Sequence, residues 1–175
     1  MNDIDQNLSF IFGRRSIRAY TTQSVGDDLV QKLLEAAMAA PSAAGADPWR
    51  FVVVTNRNLL MTIAEGLPYG KMLGSAALGI VVCGDLEAAH DRQLSYLLQD
   101  CSAAIENLLL CAHILGLGAC WLGVHPREQR VKRLQEILKL PRESLIPVAC
   151  IAIGYPAETK EPRTRFNSAY VRFER

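Results

Sequence analysis

The chain has 175 residues, half of them hydrophobic, which is enough apolar material for one compact core. Its formal net charge is only +1 and both signs are mixed along the chain. That balance argues against a general nucleic-acid binder or a polybasic membrane protein, and it gives any local basic cluster more weight.

Met1 to Phe10 carries acidic residues and no apolar run, so we expect no signal peptide and a cytoplasmic protein. Asn7 to Arg14 reads as a short helix with Leu8, Ile11 and Phe12 on one face, followed by a loop through Tyr20. Asp27 to Ala40 is a strong helix: Leu29, Leu33, Leu34, Ala37 and Met38 recur at helical spacing, its start is acidic, and Pro41 ends it. Ser42 to Pro48 is a loop of small residues. Phe51 to Thr55 reads as a buried strand, Leu59 to Gly66 as a helix, and Leu78 to Cys83 as an apolar strand. Leu94 to Leu115 is the longest helix and is apolar nearly all round towards its C-terminal half. Such a helix is buried on nearly all sides, and a partner subunit is a natural way to cover it. Gly116 and Gly118 end it. Ala119 to Leu122 reads as a strand, Arg127 to Lys139 as an amphipathic helix, and Pro147 to Ile153 as a further strand. The tail from Thr159 to Arg175 is polar and basic, with too few apolar residues to fold alone. Few strands scattered among helices predict an α+β layered fold. The apolar stretch from Leu108 to Val124 is shorter than the roughly 20 residues of a membrane span and contains His113 and glycines, so it reads as a buried helix followed by a strand.

Cys83, Cys101, Cys111, Cys120 and Cys150 sit in apolar stretches without a CxxC pair. They read as reduced core thiols, not a disulfide framework or a zinc site. No HExxH motif is present, and the three histidines lack carboxylates at ligand spacing, so no metal is expected. His113, in an apolar helix, reads as a satisfied core histidine. GxSxG and GxxxxGK[ST] are absent. Gly116-Leu117-Gly118 does not make a dinucleotide fingerprint, because the segment leaves a helix where that motif must open one after a strand. It does give a glycine-bracketed strand whose amides can face a ligand.

Arg14-Arg15-Ser16-Ile17-Arg18 carries three guanidiniums and a hydroxyl within five residues. Arginine forks match phosphate oxygens bidentately and a serine hydroxyl can serve a third oxygen. Arg163-Thr164-Arg165 is a second basic pair, and the two clusters together could cradle one dianionic phosphate. A solvated charge run is the plain alternative for each. Pro41 to Trp49 is a small-residue loop that would let backbone approach a flat ligand closely, or simply an ordinary turn.

Together these segments resemble the nitroreductase family of flavoproteins, especially its short members. RRSIRAY at Arg14–Tyr20 is similar to the family's first block, and APSAAGADPWRFVVV to its second. GLGACWLGV, PRE and IPVACIAIGYPAE are similar to its C-terminal half, and PRTRF to its closing phosphate-binding segment. The resemblance covers nearly the whole chain. It implies a central, mostly antiparallel sheet flanked by helices in an intertwined homodimer, as one domain over residues 1–175. The tail, 156–175, would pack on the partner subunit, and two FMN sites would lie at the interface.

By the same resemblance Arg14, Ser16 and Arg165 would hold the FMN phosphate, with Arg163 near. Arg15 would reach toward the phosphate or ribityl region. Arg18 would face the pyrimidine edge and stabilise the negative charge that grows there on reduction. Pro41, Ser42 and Ala43 would come from the other subunit beside the ring, and Leu122 and Gly123 would lie near its centre. Lys71 occupies a place where some members contact the cofactor. Loop position makes Tyr69 and His125 candidates to line the substrate face. NADH or NADPH would donate electrons and a nitroaromatic or quinone would accept them by a ping-pong mechanism. One departure stands out: relatives often carry Asn and Gln where this chain has Gly45 and Asp47. That loss keeps open a flavin-binding or flavin-handling protein without turnover.

Overall fold

The computed structural model describes residues 3–174, with side chains from Leu8 onward. The expectation for Met1–Phe10 therefore falls partly outside the described residues. Helix α1 spans Asp3–Gly13, α2 Asp27–Met38, α3 Arg57–Glu65, α4 Leu94–Ile114 and α5 Glu128–Leu138. The strands are β1 Trp49–Val54, β2 Leu78–Asp85, β3 Gly118–Gly123 and β4 Leu145–Gly154. They form one antiparallel sheet in the order β1-β2-β4-β3, with Trp49 opposite Gly84, Leu78 opposite Ile153 and Gly118 opposite Gly154. The expected α+β layering with an antiparallel sheet is what the chain adopts.

Alternation along the strands sends side chains to two cores, as the period of two requires. Leu78, Ile80, Val82, Ala149, Ile151 and Ile153 pack with Leu33 and Ala37 of α2 and with α4. Val81, Cys83, Cys150, Ala152 and Leu122 pack on the other face with Leu60 and Ile63 of α3 and Leu134 of α5. β2 and β4 are therefore buried on both faces and read as unbroken apolar runs.

Several boundaries move for local reasons. α3 begins earlier than its apolar pattern, because the Asn56 side chain accepts from the Leu59 N–H at 3.0 Å and caps the helix. β4 begins at Leu145, before Pro147. A proline cannot donate within an inner strand, and here it lies opposite Cys83, where the β2–β4 register shifts.

α4 finds most of its cover inside its own chain. Leu97, Cys101, Ala104, Ile105, Leu108 and Ala112 are fully buried against α2 and the sheet. Its exposed apolar residues are confined to the ends, at Leu94, Tyr96 and Ile114. The larger exposed apolar groups lie elsewhere, at Leu8, Ile11 and Phe12 of α1 and at Phe166, Tyr170 and Phe173 of the tail. Most of the apolar circumference of α4 is thus covered within the chain, with Leu98, Ala103, Leu110 and Cys111 half-buried along its length.

Four of the five cysteines are buried and Cys111 is half-buried. Burial pushes the thiols of Cys83, Cys101 and Cys150 up to about 12, so they stay protonated at neutral pH. His113 is not a core residue. It is half-buried at the end of α1, where a Cβ added to Gly13 would lie 2.8 Å from its Nε2. The helical pattern does not show that the last turns of α4 face the chain's own N-terminal helix.

Candidate functional site

The Arg14–Tyr20 segment leaves α1 and runs beside β3, the edge strand. Ser16 bridges Ala119, and the Ile17 N–H donates to the Ala119 carbonyl at 3.0 Å. A Cβ on Gly118 would meet Ile17 at 2.7 Å, so the missing side chain is what lets the segment lie this close. Tyr20 anchors the far end: its buried hydroxyl lies 2.7 Å from the Ile17 carbonyl and 3.2 Å from that of Ala152. Burial pushes this phenol far above the usual tyrosine range, which keeps it a neutral donor.

The tail closes over the segment. The Arg18 N–H and Ala19 N–H donate to Glu158 Oε1 at 2.5 and 3.2 Å. Lys160 Nζ lies 3.0 Å from that same oxygen and donates to the Ser16 carbonyl at 2.7 Å. The Arg18 N–H first, and the Lys160 ammonium second, hold the Glu158 carboxyl below the usual carboxylate range. The Arg15 guanidinium donates to the Glu161 carbonyl, the Arg163 N–H donates to the Phe12 carbonyl at 3.4 Å, and Arg14 pairs with Glu106 of α4 at 3.3 Å.

The outcome is a cleft of about 590 Å³ in which Arg14, Arg15, Ser16 and Arg18 face Arg163 and Arg165, with Lys160 and Thr164 alongside. Among the described residues, carboxylates pair with Arg14 and Lys160 of this set, leaving Arg15, Arg18, Arg163 and Arg165 without an ion-pair partner. Four uncompensated guanidiniums around one hydroxyl suit a dianionic phosphate. Lys160 is the member that sequence reasoning missed. Nothing in its local pattern says that it turns back on Ser16, 144 residues away.

A second pocket of about 260 Å³ adjoins this cleft through Arg18. It brings Arg18 together with Tyr69, Leu122 and Gly123, and with Met72 and Arg130. A Cβ on Gly123 would meet nothing within 4 Å, so the end of β3 is open on this side. Two expected residues stay outside both spaces. Lys71 is exposed at the start of the 3₁₀ turn Lys71–Gly74, whereas its neighbour Met72 lines the pocket. His125 is half-buried just beyond β3, with its backbone N–H donating to the Val148 carbonyl at 3.1 Å.

Pro41, Ser42 and Ala43 also line neither space. They begin a loop that holds its own shape. The Ser42 hydroxyl donates to the Asp47 carboxylate, and the Asp47 N–H donates back to Ser42 Oγ at 3.1 Å. Ala44, Gly45 and Asp47 have φ of 52°, 66° and 48°, a left-handed region suited to glycine and tolerated by aspartate. The Ala43 N–H donates to Oδ1 of Asp100 on α4 at 3.0 Å, and the other carboxylate oxygen of Asp100 is buried without a hydrogen-bond partner. Asp47 is here the residue that closes the loop on Ser42.

An α+β fold whose edge strand β3 runs between an arginine-lined cleft and a second open pocket is the class of protein that this geometry defines. Residues 11–155 match the model of the nitroreductase family. An Archaeoglobus fulgidus protein named for NADH dehydrogenase/NAD(P)H nitroreductase activity is 42% identical, over 94% of this chain and 95% of its own length. A crystal structure of a similarly named protein from Parabacteroides distasonis has 39% identity and a TM-score of 0.89, with 96% of this chain and 97% of that one covered. A Desulfovibrio desulfuricans nitroreductase solved in complex with FMN has 32% identity and a TM-score of 0.85, over all of this chain and 98% of that one. The chain belongs to the nitroreductase family.

Proposed function

We propose that the protein is an FMN-dependent NAD(P)H oxidoreductase that works as a homodimer. The observation that carries this reading is the cleft at Arg14–Arg18 and Arg163–Arg165, which continues through Arg18 into the pocket at the open end of β3. The uncompensated guanidiniums fit a cofactor phosphate, and the unobstructed face at Gly123 fits a planar ring. When bound, FMN supplies two-electron transfer between NAD(P)H and an electron-poor acceptor such as a nitroaromatic or a quinone.

The residues divide the remaining work. Arg14, Ser16, Arg163 and Arg165 hold the phosphate, and Arg15 spans toward the ribityl chain. Lys160 and Glu158 keep the Ser16–Ala19 backbone in place, so the donors are set before the cofactor arrives. Arg18, shared by cleft and pocket, favours negative charge at the pyrimidine edge of the ring. Leu122 and Gly123 form the floor and Tyr69 stands at the substrate side, while His125 lies beyond the pocket. Pro41, Ser42 and Ala43 serve the ring of the other subunit, which accounts for their distance from the pocket of their own chain. Lys71 stands outside both spaces and has no part in the cofactor contacts of this reading. The exposed Ile11, Phe12, Phe166 and Tyr170 supply apolar surface for the dimer. Of the tail expected on the partner, 156–175, residues 156–163 are bonded to their own chain at Tyr20, Arg18, Ser16 and Phe12, so the part beyond Arg165 is what packs on the partner. Donor and acceptor use one space in turn, which gives ping-pong kinetics.

The engagement of Ser42 with Asp47 favours a second reading, flavin binding without turnover, because neither side chain is then offered to the ring. One experiment separates the two. The purified protein loaded with FMN should bleach on anaerobic addition of NADH or NADPH and recover its colour with a quinone. A yellow protein bleached by neither donor would favour flavin binding alone, and a protein that retains no FMN would sink both.

A further inference from the structure

Beyond the flavin pocket lies a third space, of about 420 Å³, that no part of the reading above uses. It shares Pro68 and Arg130 with the flavin pocket and adds Gly66, Arg127, Gln129 and Arg133. The three arginines fall at three-residue spacing from the residue that opens α5 into its second turn, which sets them along one helix face.

α5 also carries carboxylates, but they are engaged elsewhere. Glu128 pairs with Lys132 at 2.7 Å and Glu136 with Arg142 at 3.0 Å. Among the described residues, Arg127, Arg130 and Arg133 have no ion-pair partner at all. Arg130 is held in place by donating to the Gly123 carbonyl at 2.9 Å, which ties the stripe to the open end of β3. The stem of Arg133 lies against Gly66, where a Cβ would come within 3.1 Å of its Cγ. Three guanidiniums beside a single neutral amide, at the mouth of a pocket for a flat redox ring, suit a phosphate carried by the molecule that stacks there.

We infer that the Arg127–Arg130–Arg133 pocket binds a phosphate of the dinucleotide electron donor and thereby sets donor affinity. The inference rests on the oxidoreductase reading and deepens it. The phosphate has two possible origins, the pyrophosphate common to NADH and NADPH or the 2′-phosphate of NADPH alone. A neutral acceptor gains nothing from this pocket.

The test is anaerobic stopped-flow reduction of the FMN-loaded protein by NADH, by NADPH and by a phosphate-free N-benzyl dihydronicotinamide. The variants are Arg127→Gln, Arg133→Gln and both together. Arg130 is spared because it also lines the flavin pocket. In the double variant the apparent Kd for the dinucleotides should rise about tenfold, the loss expected for exposed charge-assisted bonds. The limiting rate, the reaction with the benzyl donor and FMN retention should not change. A rise confined to NADPH assigns the pocket to the 2′-phosphate, and an equal rise for both assigns it to the pyrophosphate. Unchanged Kd values for both dinucleotides would overturn the inference, as would an equal loss with the benzyl donor. A second measurement needs no variant: salt should weaken NAD(P)H binding to the unaltered protein and spare the benzyl donor, and equal salt sensitivity would count against the pocket. Unaltered protein that holds no FMN, or that no donor bleaches, would bring down the oxidoreductase reading and this one with it. That outcome is visible before any variant is made.

Discussion

Two loops of this molecule carry candidate cofactor contacts, and they are held in opposite ways. The Arg14–Tyr20 segment owes its position to residues far away in sequence: Ala119, Ala152, Glu158 and Lys160. The Ser42–Asp47 loop is held mainly by itself, through the reciprocal Ser42–Asp47 bonds and a run of left-handed backbone, with one outside tie to Asp100. A segment held by long-range bonds depends on every element that supplies them, whereas a self-held loop keeps its shape mainly as a local unit. The first can therefore be dislodged from many places and the second mainly from within.

The largest effects should come from within the long-range segment. Arg14→Ala should weaken FMN retention by roughly 10–100-fold, because a charge-assisted bond to phosphate is lost. Arg18→Ala should retain the cofactor far better and slow its reduction by NAD(P)H. Flavin fluorescence after dialysis and anaerobic reduction rates measure the two properties separately. Equal cofactor loss in both variants would erase the proposed division between phosphate and ring.

Next comes an indirect perturbation of the same segment. Gly118 lies on β3 and touches no proposed cofactor atom, yet its Cβ would meet Ile17 at 2.7 Å. Gly118→Val should force the segment off the sheet and lower Tm by roughly 4–8 °C, as overpacking of a close contact does. It should also weaken FMN retention, since Ser16 and Arg18 flank the displaced residue. A lower Tm with unchanged retention would show that the segment holds its shape without β3.

The self-held loop should respond more weakly. Asp47→Ala removes the local ring and puts a Cβ-bearing residue with no compensating bond at a φ of 48°. We expect a stability loss of ~1–2 kcal/mol. FMN retention should change little, because the phosphate cleft lies elsewhere in the same chain. Asp47→Asn should restore most of the stability, since asparagine both tolerates the conformation and can accept from the Ser42 hydroxyl. A variant that loses FMN as completely as Arg14→Ala would mean that the loop and the cleft are one unit.

This contrast also explains what could be read in the sequence. Helical spacing in α2 and α5 and the apolar runs of β2 and β4 were legible because local pattern decides burial there. RRSIR was legible as chemistry, since arginine and serine at that density point to an anion, but as a charge run it could equally have been solvated. What makes it a cleft are Glu158 and Lys160, whose role depends on the tail crossing back over the Arg14–Tyr20 segment. No local pattern encodes that crossing. Asp47 failed for a different reason. Its side chain reads in sequence as a possible ring contact, whereas in the fold it is spent on loop shape, which shows only in φ and in the Ser42 bond. In sequence Arg127 and Arg133 are simply part of an amphipathic helix, and only the position of α5 beside Pro68 and Gly123 gives their stripe a direction.

The smallest expected effect tests the tail clamp through pH. Glu158 is half-buried, and its carboxyl is depressed below the usual value of 4.5 by the Arg18 N–H and then Lys160. A depressed carboxyl contributes stability that is fully present above its unfolded value and is lost as pH falls through the folded one. Unaltered protein without added flavin should therefore exceed Glu158→Gln slightly in Tm at pH 7. The gap should close as pH drops below the ordinary glutamate range, where protonated Glu158 and glutamine become equivalent. Solvent and salt screen such a group, so the gap should shrink in high salt. If the gap instead widened on acidification, the clamp would be drawing its strength from a protonated partner, and the Arg18–Glu158–Lys160 arrangement would not be what holds the basic segment against β3.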